Sequence, residues 1–145
     1  MRFVDTNVLL YAVSTAQDEA LKATEARGIL DGTDLALSVQ VLQEFYVQAT
    51  HSSRPGRLSH DQAAGLIEAW LRFPVQETTV ALMRAGAQAA VRYRMSYWDA
   101  AIIEAARSLG CEAVLSEDLS HGEDYGGVKV TNPFRRRRYD KGRRP

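Results

Sequence analysis

Apolar residues along this chain fall into two alternating patterns, short continuous runs and longer stretches with helical spacing. The short runs, bounded by turn signals, predict strands at residues 3–4, 35–37, 75–77, 113–115 and 128–130. Between them, apolar positions recur every three or four residues and predict helices at residues 8–13, 18–30, 38–49, 59–71, 79–93 and 96–109. Alternating strands and helices are typical of βαβ units. The pattern therefore predicts a three-layer α/β fold, with a short, mainly parallel central sheet of about five strands flanked by helices.

The composition is that of one ordinary globular domain. The chain has 145 residues, of which 46% are hydrophobic and 25% are charged. No apolar run reaches the roughly 18 residues of a membrane span, and strand-like sequence begins at Arg2, which leaves no room for a signal peptide. The single cysteine, Cys111, offers neither an internal disulfide nor metal-ligand spacing. We therefore expect a cytoplasmic protein without membrane association, in which Cys111 is a small buried hydrophobic residue.

The net charge of zero hides an uneven distribution of charge. Seven of the 18 basic residues lie in the last eleven positions, namely Arg135, Arg136, Arg137, Arg138, Lys141, Arg143 and Arg144. Residues 1–134 therefore carry 11 basic and 17 acidic groups, a net charge of minus six. Nonspecific nucleic-acid binding is driven by neutralisation of phosphates. A domain with this negative charge is therefore not expected to attract nucleic acid through its overall charge. Its carboxylates need another explanation.

Two aspartates follow predicted strands, where open α/β sheets form their functional crevice. Asp5 comes directly after the first strand, and Asp118 comes three residues after the end of the fourth. For Asp5 the alternative role is an N-cap of the helix that begins near Asn7. For Asp118 the alternative is an ordinary loop acid. Position alone leaves both choices open.

Two further acids lie on predicted helices. Asp99 shares a helix face with Ile102 and Ile103, which places a carboxylate at the head of an apolar face. The alternative is a capping box, in which Asp99 bonds back to the backbone of Ser96; both hold if one oxygen caps and the other faces the crevice. Glu44 lies nearly opposite the main apolar stripe of its helix. In isolation it is expected to be an exposed glutamate.

These acids and their neighbours resemble one known family over essentially the whole chain up to about Phe134. The resemblance rests on residues 3–7 (Phe-Val-Asp-Thr-Asn), on Glu44 inside the third helix, on residues 96–100 (Ser-Tyr-Trp-Asp-Ala) and on residues 116–118 (Ser-Glu-Asp). In order and spacing they are similar to a PIN domain of the VapC type, the toxin of bacterial toxin–antitoxin pairs. The resemblance implies a PIN-like fold in which the acids meet at the strand ends, bind Mg²⁺ or Mn²⁺ and cleave single-stranded or looped RNA.

A cluster of four carboxylates implies a bound cation or protonation of some of the acids. Two carboxylates about 5 Å apart repel by roughly 3 kcal/mol at an effective dielectric constant near 20, and the six pairs among four acids sum to about 20 kcal/mol. A domain with about 5–15 kcal/mol of stability does not tolerate this, so some acids stay protonated or a metal ion is held. Oxygen ligands without cysteine or clustered histidine favour Mg²⁺ or Mn²⁺ over zinc.

The resemblance also implies roles for the individual residues. We expect Asp5 and Asp99 to be direct metal ligands, Asp118 to complete or water-bridge the site, and Glu44 to orient water, act as a base or hold a second ion. Supporting hydrogen bonds are expected from Thr6, Asn7 and Ser116. Glu117 leaves open which acid of its loop faces the site, and His121 is expected to be a surface loop residue.

The resemblance implies protein partners as well as an RNA substrate. An antitoxin would cover an apolar groove between the early helices and direct a basic side chain toward the acids, and the chain would form a homodimer through helix faces. The basic tail, residues 135–145, lies outside the resemblance to a domain of residues 1–134. Two interpretations of the tail stay open, a disordered terminus and an arm that neutralises RNA phosphates.

Other function classes fit the sequence less well. A phosphatase of the haloacid dehalogenase type has a second acid two residues after the first, where this chain has Asn7, and a later lysine that we cannot place. A response-regulator receiver domain is not supported either, because the chain lacks the paired early acids and the late lysine of that class. No Gly-Lys-Ser/Thr loop for nucleotide phosphates is present. The alternatives that remain are a non-catalytic PIN-type RNA-binding or scaffolding module, and an RNA-processing nuclease without an antitoxin.

Overall fold

The computed structural model describes residues 1–135, and this part of the chain forms six α-helices, one short 3-10 helix at Gln17–Glu19 and six strands. The α-helices are α1 (Thr6–Ala12), α2 (Ala20–Leu30), α3 (Val39–Ala49), α4 (His60–Trp70), α5 (Val80–Tyr93) and α6 (Tyr97–Ser108). The strands are β1 (Arg2–Val4), β2 (Leu35–Ser38), β3 (Val75–Gln76), β4 (Ala113–Leu115), β5 (Asp124–Tyr125) and β6 (Val128–Thr131). A helix lies at each predicted place, and the predicted α/β class is confirmed.

The strands form one central sheet in the order β3-β2-β1-β4-β6-β5. All neighbouring strands pair in parallel except β5 and β6, which are antiparallel. Every residue of β2 is buried. Because successive side chains of a strand point to opposite faces, both faces of the sheet are covered at β2, as the predicted layers require.

The expectation of about five strands was one too few, because it missed β5. This strand has only two residues, Asp124 and Tyr125, which pair with Lys129 and Val128 across a two-residue turn. Two residues are too few to show an alternation of apolar and polar positions. The local signal was the Gly126-Gly127 dipeptide, whose φ angles of 62° and 97° are those that a tight hairpin turn needs.

The core is centred on β1 and α6. Phe3 and Val4 of β1 have no exposed surface, since β1 lies between two other strands. Helix α6 packs against β2, β3, β4 and β6, and its buried residues are Ala100, Ala101, Ile102, Ile103, Ala105 and Ala106. Because most of these side chains are small, α5 also packs closely on α6. The first turn of α6 is thereby held firmly at the edge of the sheet.

Three smaller expectations have different outcomes. Cys111 is buried, as predicted. None of the helices in residues 1–135 has the length and the apolar character needed to cross a lipid bilayer. Apart from Arg135, the predicted basic tail of residues 135–145 lies outside the described residues, so the division into a domain of residues 1–134 and a tail stays a prediction.

Gly86 tests the packing of α5 on α6, and Gly28 of α2 is the matched glycine in open surroundings. A Cβ atom at Gly86 would lie 3.1 Å from Tyr97 Cε1 and 3.4 Å from Ala101 Cα, so Gly86→Val should lower the free energy of unfolding by about 1–3 kcal/mol. A Cβ atom at Gly28 of α2 meets no atom within 4 Å, so Gly28→Ala should raise it by about 0.5–1 kcal/mol. Urea unfolding measures both changes. A stable Gly86→Val variant would contradict the close contact.

Candidate active site

Parallel pairing brings the residues that follow β1 and β4 to the same edge of the sheet. Val4 pairs with Leu115 at the ends of these strands, and the backbone N–H of Asp5 continues the ladder by donating to the Leu115 carbonyl at 3.0 Å. Asp5 and Ser116 are therefore neighbours, and the Ser116 hydroxyl donates to Asp5 Oδ2 at 2.8 Å. Residues 111 positions apart thus meet through one strand pair.

A cleft of about 210 Å³ opens at this edge. Its lining residues come from four segments of the chain and are Asp5, Thr6, Asn7, Leu10, Gln40, Glu44, Gln48, Trp98, Asp99, Ile102 and Asp118. All four acids predicted from the sequence line this one cleft. No lysine, arginine or histidine of residues 1–135 is among the lining residues. The cleft is therefore strongly acidic, and its walls offer carboxylate, amide and hydroxyl groups beside a few apolar side chains.

Asp5 is the most deeply placed of the acids, with 8% of its surface exposed. It caps α1, because its Oδ1 accepts from the Thr6 N–H at 2.8 Å, while its Oδ2 accepts from Ser116. The pKa of Asp5 is raised from 3.8 to about 6, mainly by burial and in smaller part by the charges of Asp118 and Glu44, while the hydrogen bonds from Ser116 and Thr6 act to lower it. Asp5 therefore is the N-cap of α1 and also lines the cleft, so the two roles do not exclude each other.

Asn7 forms hydrogen bonds to both Asp5 and Asp118, the acids that follow β1 and β4. Its side-chain Nδ2 lies 3.4 Å from Asp5 Oδ2, 3.2 Å from Ser116 Oγ and 3.2 Å from Asp118 Oδ2. Its carbonyl Oδ1 accepts from the backbone N–H of Glu117 at 3.1 Å. The amide hydrogens thus place partial positive charge between Asp5 and Asp118, and the carbonyl holds the loop that carries Asp118. The expected supporting role of Asn7 has a geometric basis in these contacts.

Glu44 is half-buried in the cleft, whereas its helix position in isolation indicated an exposed side chain. The Thr6 hydroxyl donates to Oε2 at 2.8 Å, and Gln40 Nε2 donates to Oε1 at 2.9 Å. Gln40, Glu44 and Gln48 recur every four residues on α3 and all line the cleft. The sequence does contain this second, polar stripe opposite the apolar one, but which stripe faces a site is decided by packing.

Asp99 lies in the first turn of α6, where Ser96 caps the helix by accepting from the Asp99 N–H at 3.1 Å. The reciprocal bond of a capping box is not formed, and within residues 1–135 the Asp99 carboxylate accepts no hydrogen bond. The capping-box alternative is therefore wrong for this side chain, which is exposed in the cleft. Its carboxylate is available to a cation or to substrate.

Glu117 faces away from the cleft and Asp118 lines it, which answers the question that the sequence left open. Glu117 accepts from the Tyr11 hydroxyl at 2.7 Å and forms an ion pair with Lys22 at 2.7 Å. Burial acts to raise the pKa of Glu117, but the hydrogen bonds from Lys22 and Tyr11 outweigh it and lower the pKa. His121 is exposed outside the cleft, where its Nδ1 accepts from the Asn132 N–H.

The donor chemistry of the cleft fits a hard divalent cation. Its polar oxygens belong to carboxylates, amides and hydroxyls, the ligand types of Mg²⁺ and Mn²⁺, and no thiol or imidazole is present among them. Within residues 1–135, however, no three His, Cys, Asp or Glu side chains are already arranged to hold a metal ion. Asp99 and Asp118 are exposed.

Comparison with known proteins finds one family for this chain. The model of the PIN domain family matches residues 2–122. The search of curated proteins finds no match.

Several solved structures share the fold. The chain is similar to VapC20 of Mycobacterium tuberculosis, a sarcin–ricin loop cleaving toxin, with 18% identity, a TM-score of 0.64, and coverage of 81% of this chain and 90% of that one. It is similar to a toxin–antitoxin complex from Klebsiella pneumoniae, with 19% identity, a TM-score of 0.66 and coverage of 92% and 98%. DNA-bound VapBC from Salmonella typhimurium matches with 18% identity, a TM-score of 0.62 and coverage of 91% and 97%. At such identities the likeness shows the fold alone.

The raised pKa of Asp5 predicts a pH dependence of stability. Below pH 3.8 the carboxyl is protonated in the folded and the unfolded chain alike. As the pH rises to about 6, the unfolded chain ionises first, so the folded state loses about 3 kcal/mol relative to it, because one pKa unit is about 1.36 kcal/mol. In Asp5→Asn this loss is removed.

Urea unfolding in EDTA at about pH 3.5 and about pH 7 measures this effect. The free energy of unfolding of the wild type, minus that of Asp5→Asn, should fall between the two pH values by an amount of that order. Asp31→Asn, at an exposed position outside the cleft, is the control for removal of an acid. A difference that stays constant with pH would contradict the assigned pKa.

Proposed function

Because this chain belongs to the PIN domain family, we propose that it is a metal-dependent endoribonuclease that hydrolyses RNA phosphodiester bonds. The observation that carries the proposal is the gathering of Asp5, Glu44, Asp99 and Asp118 in one cleft, from segments up to 113 residues apart. Mutual repulsion makes such a gathering unfavourable by itself. A bound cation would offset this repulsion and would in turn attract a phosphate of the substrate.

In this proposal Asp5, Asp99 and Asp118 hold Mg²⁺, or Mn²⁺ in its place. When bound, the ion stabilises the negative charge that develops on the phosphate and lowers the pKa of a water nucleophile. Asp5 is suited to anchor the site, since it is buried and both of its oxygens are oriented by hydrogen bonds. Asp99 and Asp118 are exposed and adapt to the ion and the substrate.

Glu44 is the proposed proton acceptor or water-orienting group. Thr6 and Gln40 donate to its two oxygens, which fixes the direction of the carboxylate toward the cleft. Each carboxylate oxygen has a second lone pair, so Glu44 still accepts a hydrogen bond from water. The alternative in which Glu44 holds a second ion uses the same free lone pairs. Asn7 and Ser116 act through Asp5 and Asp118, whose oxygens they orient.

We further propose that the protein is the toxin of a toxin–antitoxin pair. The support is the shared fold with VapC20 and with the Klebsiella pneumoniae toxin–antitoxin complex over most of both chains. The proposed antitoxin covers apolar side chains near the early helices, where Leu21 and Val47 are 73% and 60% exposed, and supplies the basic group that the cleft walls lack. The proposed homodimer forms through a helix face such as that of α5, which exposes Val80, Met83 and Val91.

Metal dependence is the first test of the proposed activity. Purified protein should cut a pool of structured RNAs with Mg²⁺ or Mn²⁺ and lose this activity in EDTA, because the acids alone cannot neutralise the developing charge. Asp5→Ala should be inactive with either ion. If the wild type and this variant are equally inert with every metal and RNA, and RNA binding survives EDTA, a non-catalytic RNA-binding module replaces the proposal.

Asp99→Asn separates a catalytic from a structural role. Its carboxylate accepts no hydrogen bond within residues 1–135, so the free energy of unfolding should change by less than about 0.5 kcal/mol. Cleavage should fall by more than about 100-fold, since loss of groups that merely orient metal ligands already costs about 10- to 100-fold. Asp31→Asn serves again as the control and should cut like the wild type. Full cleavage by Asp99→Asn would exclude Asp99 as a ligand.

A further inference from the structure

Trp98 lies at the rim of the acidic cleft, and we propose that it is the platform on which an unpaired nucleobase of the substrate stacks. The proposal rests on the proposed function, since it specifies how that site holds single-stranded RNA. It assigns a binding role to a side chain beside the acids, and it names the ligand as a base next to the phosphate that is cut.

The two tryptophans of the chain differ sharply in their surroundings. Trp70 is 5% exposed and packs edge-on against Phe45 in the core, with ring centroids 4.7 Å apart. Trp98 is 64% exposed and lines the cleft. A single exposed apolar side chain needs no explanation on an ordinary surface. At the rim of a site for a polymer with flat aromatic bases, the same side chain is a ready surface for stacking.

The indole ring of Trp98 is held before any ligand arrives. It contacts the ring of Tyr97 edge to face, with centroids 5.0 Å apart and an interplanar angle of 79°. Gln40 Nε2 reaches the Trp98 carbonyl at 3.3 Å and so ties the start of α6 to α3 across the cleft. The contact with Tyr97 restricts the indole ring and the bond to Gln40 restricts the backbone that carries it, so ordering this side chain when a base stacks on it costs less free energy.

The charges of the cleft leave stacking as a main source of affinity. Most nucleic-acid sites bind through lysine and arginine contacts to phosphates. Among residues 1–135 the cleft is lined by four acids and by no basic side chain. Within this part of the chain, the affinity that the cleft walls themselves provide for RNA therefore comes from uncharged contacts with the bases. Of the apolar side chains in the lining, Trp98 is the exposed one, whereas Ile102 is buried in the core.

Gln48 supplies the polar contact that favours a base over an apolar protein segment. It lies on α3 one turn after Glu44, lines the same cleft and is exposed. Within residues 1–135 its side-chain amide forms no hydrogen bond, so both its donor and its acceptor are available to the edge of a base. An apolar peptide side chain on Trp98 would leave this amide and the carboxylates without partners.

The test compares oligonucleotides of equal charge. Short single-stranded RNA and an abasic strand of the same length are titrated with Mg²⁺ into the full chain. For these binding measurements the wild type and each variant also carry Asp99→Asn, in which cleavage should be lost, and the strands are checked for integrity afterwards. We expect the base-containing strand to protect Trp98 from acrylamide quenching and to bind more tightly than the abasic strand. In Trp98→Ala binding of the base-containing strand should weaken by roughly 5- to 150-fold, and the preference over the abasic strand should disappear. Trp98→Phe should retain part of the preference.

The controls separate this proposal from the nuclease proposal. Leu71→Ala removes another exposed apolar side chain, which is 45% exposed and lies outside the cleft, and should bind like the wild type. If Trp98→Ala binds both strands as the wild type does while the wild type cleaves RNA, stacking on Trp98 is wrong and the nuclease stands. If protection of Trp98 from acrylamide quenching increases with protein concentration and does not depend on RNA, the surface binds a second copy of the chain. This result overturns the proposal. A wild type that neither binds nor cleaves RNA overturns both.

Discussion

β1 pairs with β4 in parallel, with Val4 opposite Leu115, and this register creates the sheet edge around which the acids of the cleft gather. Parallel strands need long crossover connections, so their carboxyl ends collect at one edge of the sheet. Asp5 and Ser116 become hydrogen-bonded neighbours because each follows one of the paired strands. α6, packed on four strands of the same sheet, brings Asp99 to that edge.

The same register concentrates negative charge, and the fold distributes it unequally. Asp5 is buried, with a pKa raised to about 6, and it accepts hydrogen bonds from Thr6 and Ser116. Asp99 and Asp118 are exposed, so water screens their charges when no cation is present. Of the four acids of the cleft, Asp5 is therefore the one that is buried and carries the main penalty of burial. A marginally stable domain keeps its acids close together in this way without being unfolded by their repulsion.

Local patterns in the sequence were sufficient for most of the fold. Five of the six strands and the places of all six α-helices in residues 1–135 follow from apolar runs and helical spacing, because each of these elements is long or apolar enough to show its period. β5 was missed because two residues carry no period, and only its Gly126-Gly127 turn marked it. The prediction of a capping box at Ser96 was wrong in one half. The motif correctly marks the start of α6, where Ser96 accepts from the Asp99 N–H, but the Asp99 carboxylate is exposed in the cleft and does not bond back to Ser96.

The sequence by itself determined the fold class, the sheet's parallel character and the identity of the acids, since these depend on residue types and spacing along the chain. The tertiary structure decided which side chains face one another. It turned the polar stripe of α3, and with it Glu44, into the cleft, and it directed Asp118 inward while Lys22 and Tyr11 hold Glu117 outward. These choices depend on how helices pack on the sheet, and contacts between residues far apart in sequence leave no local pattern to read.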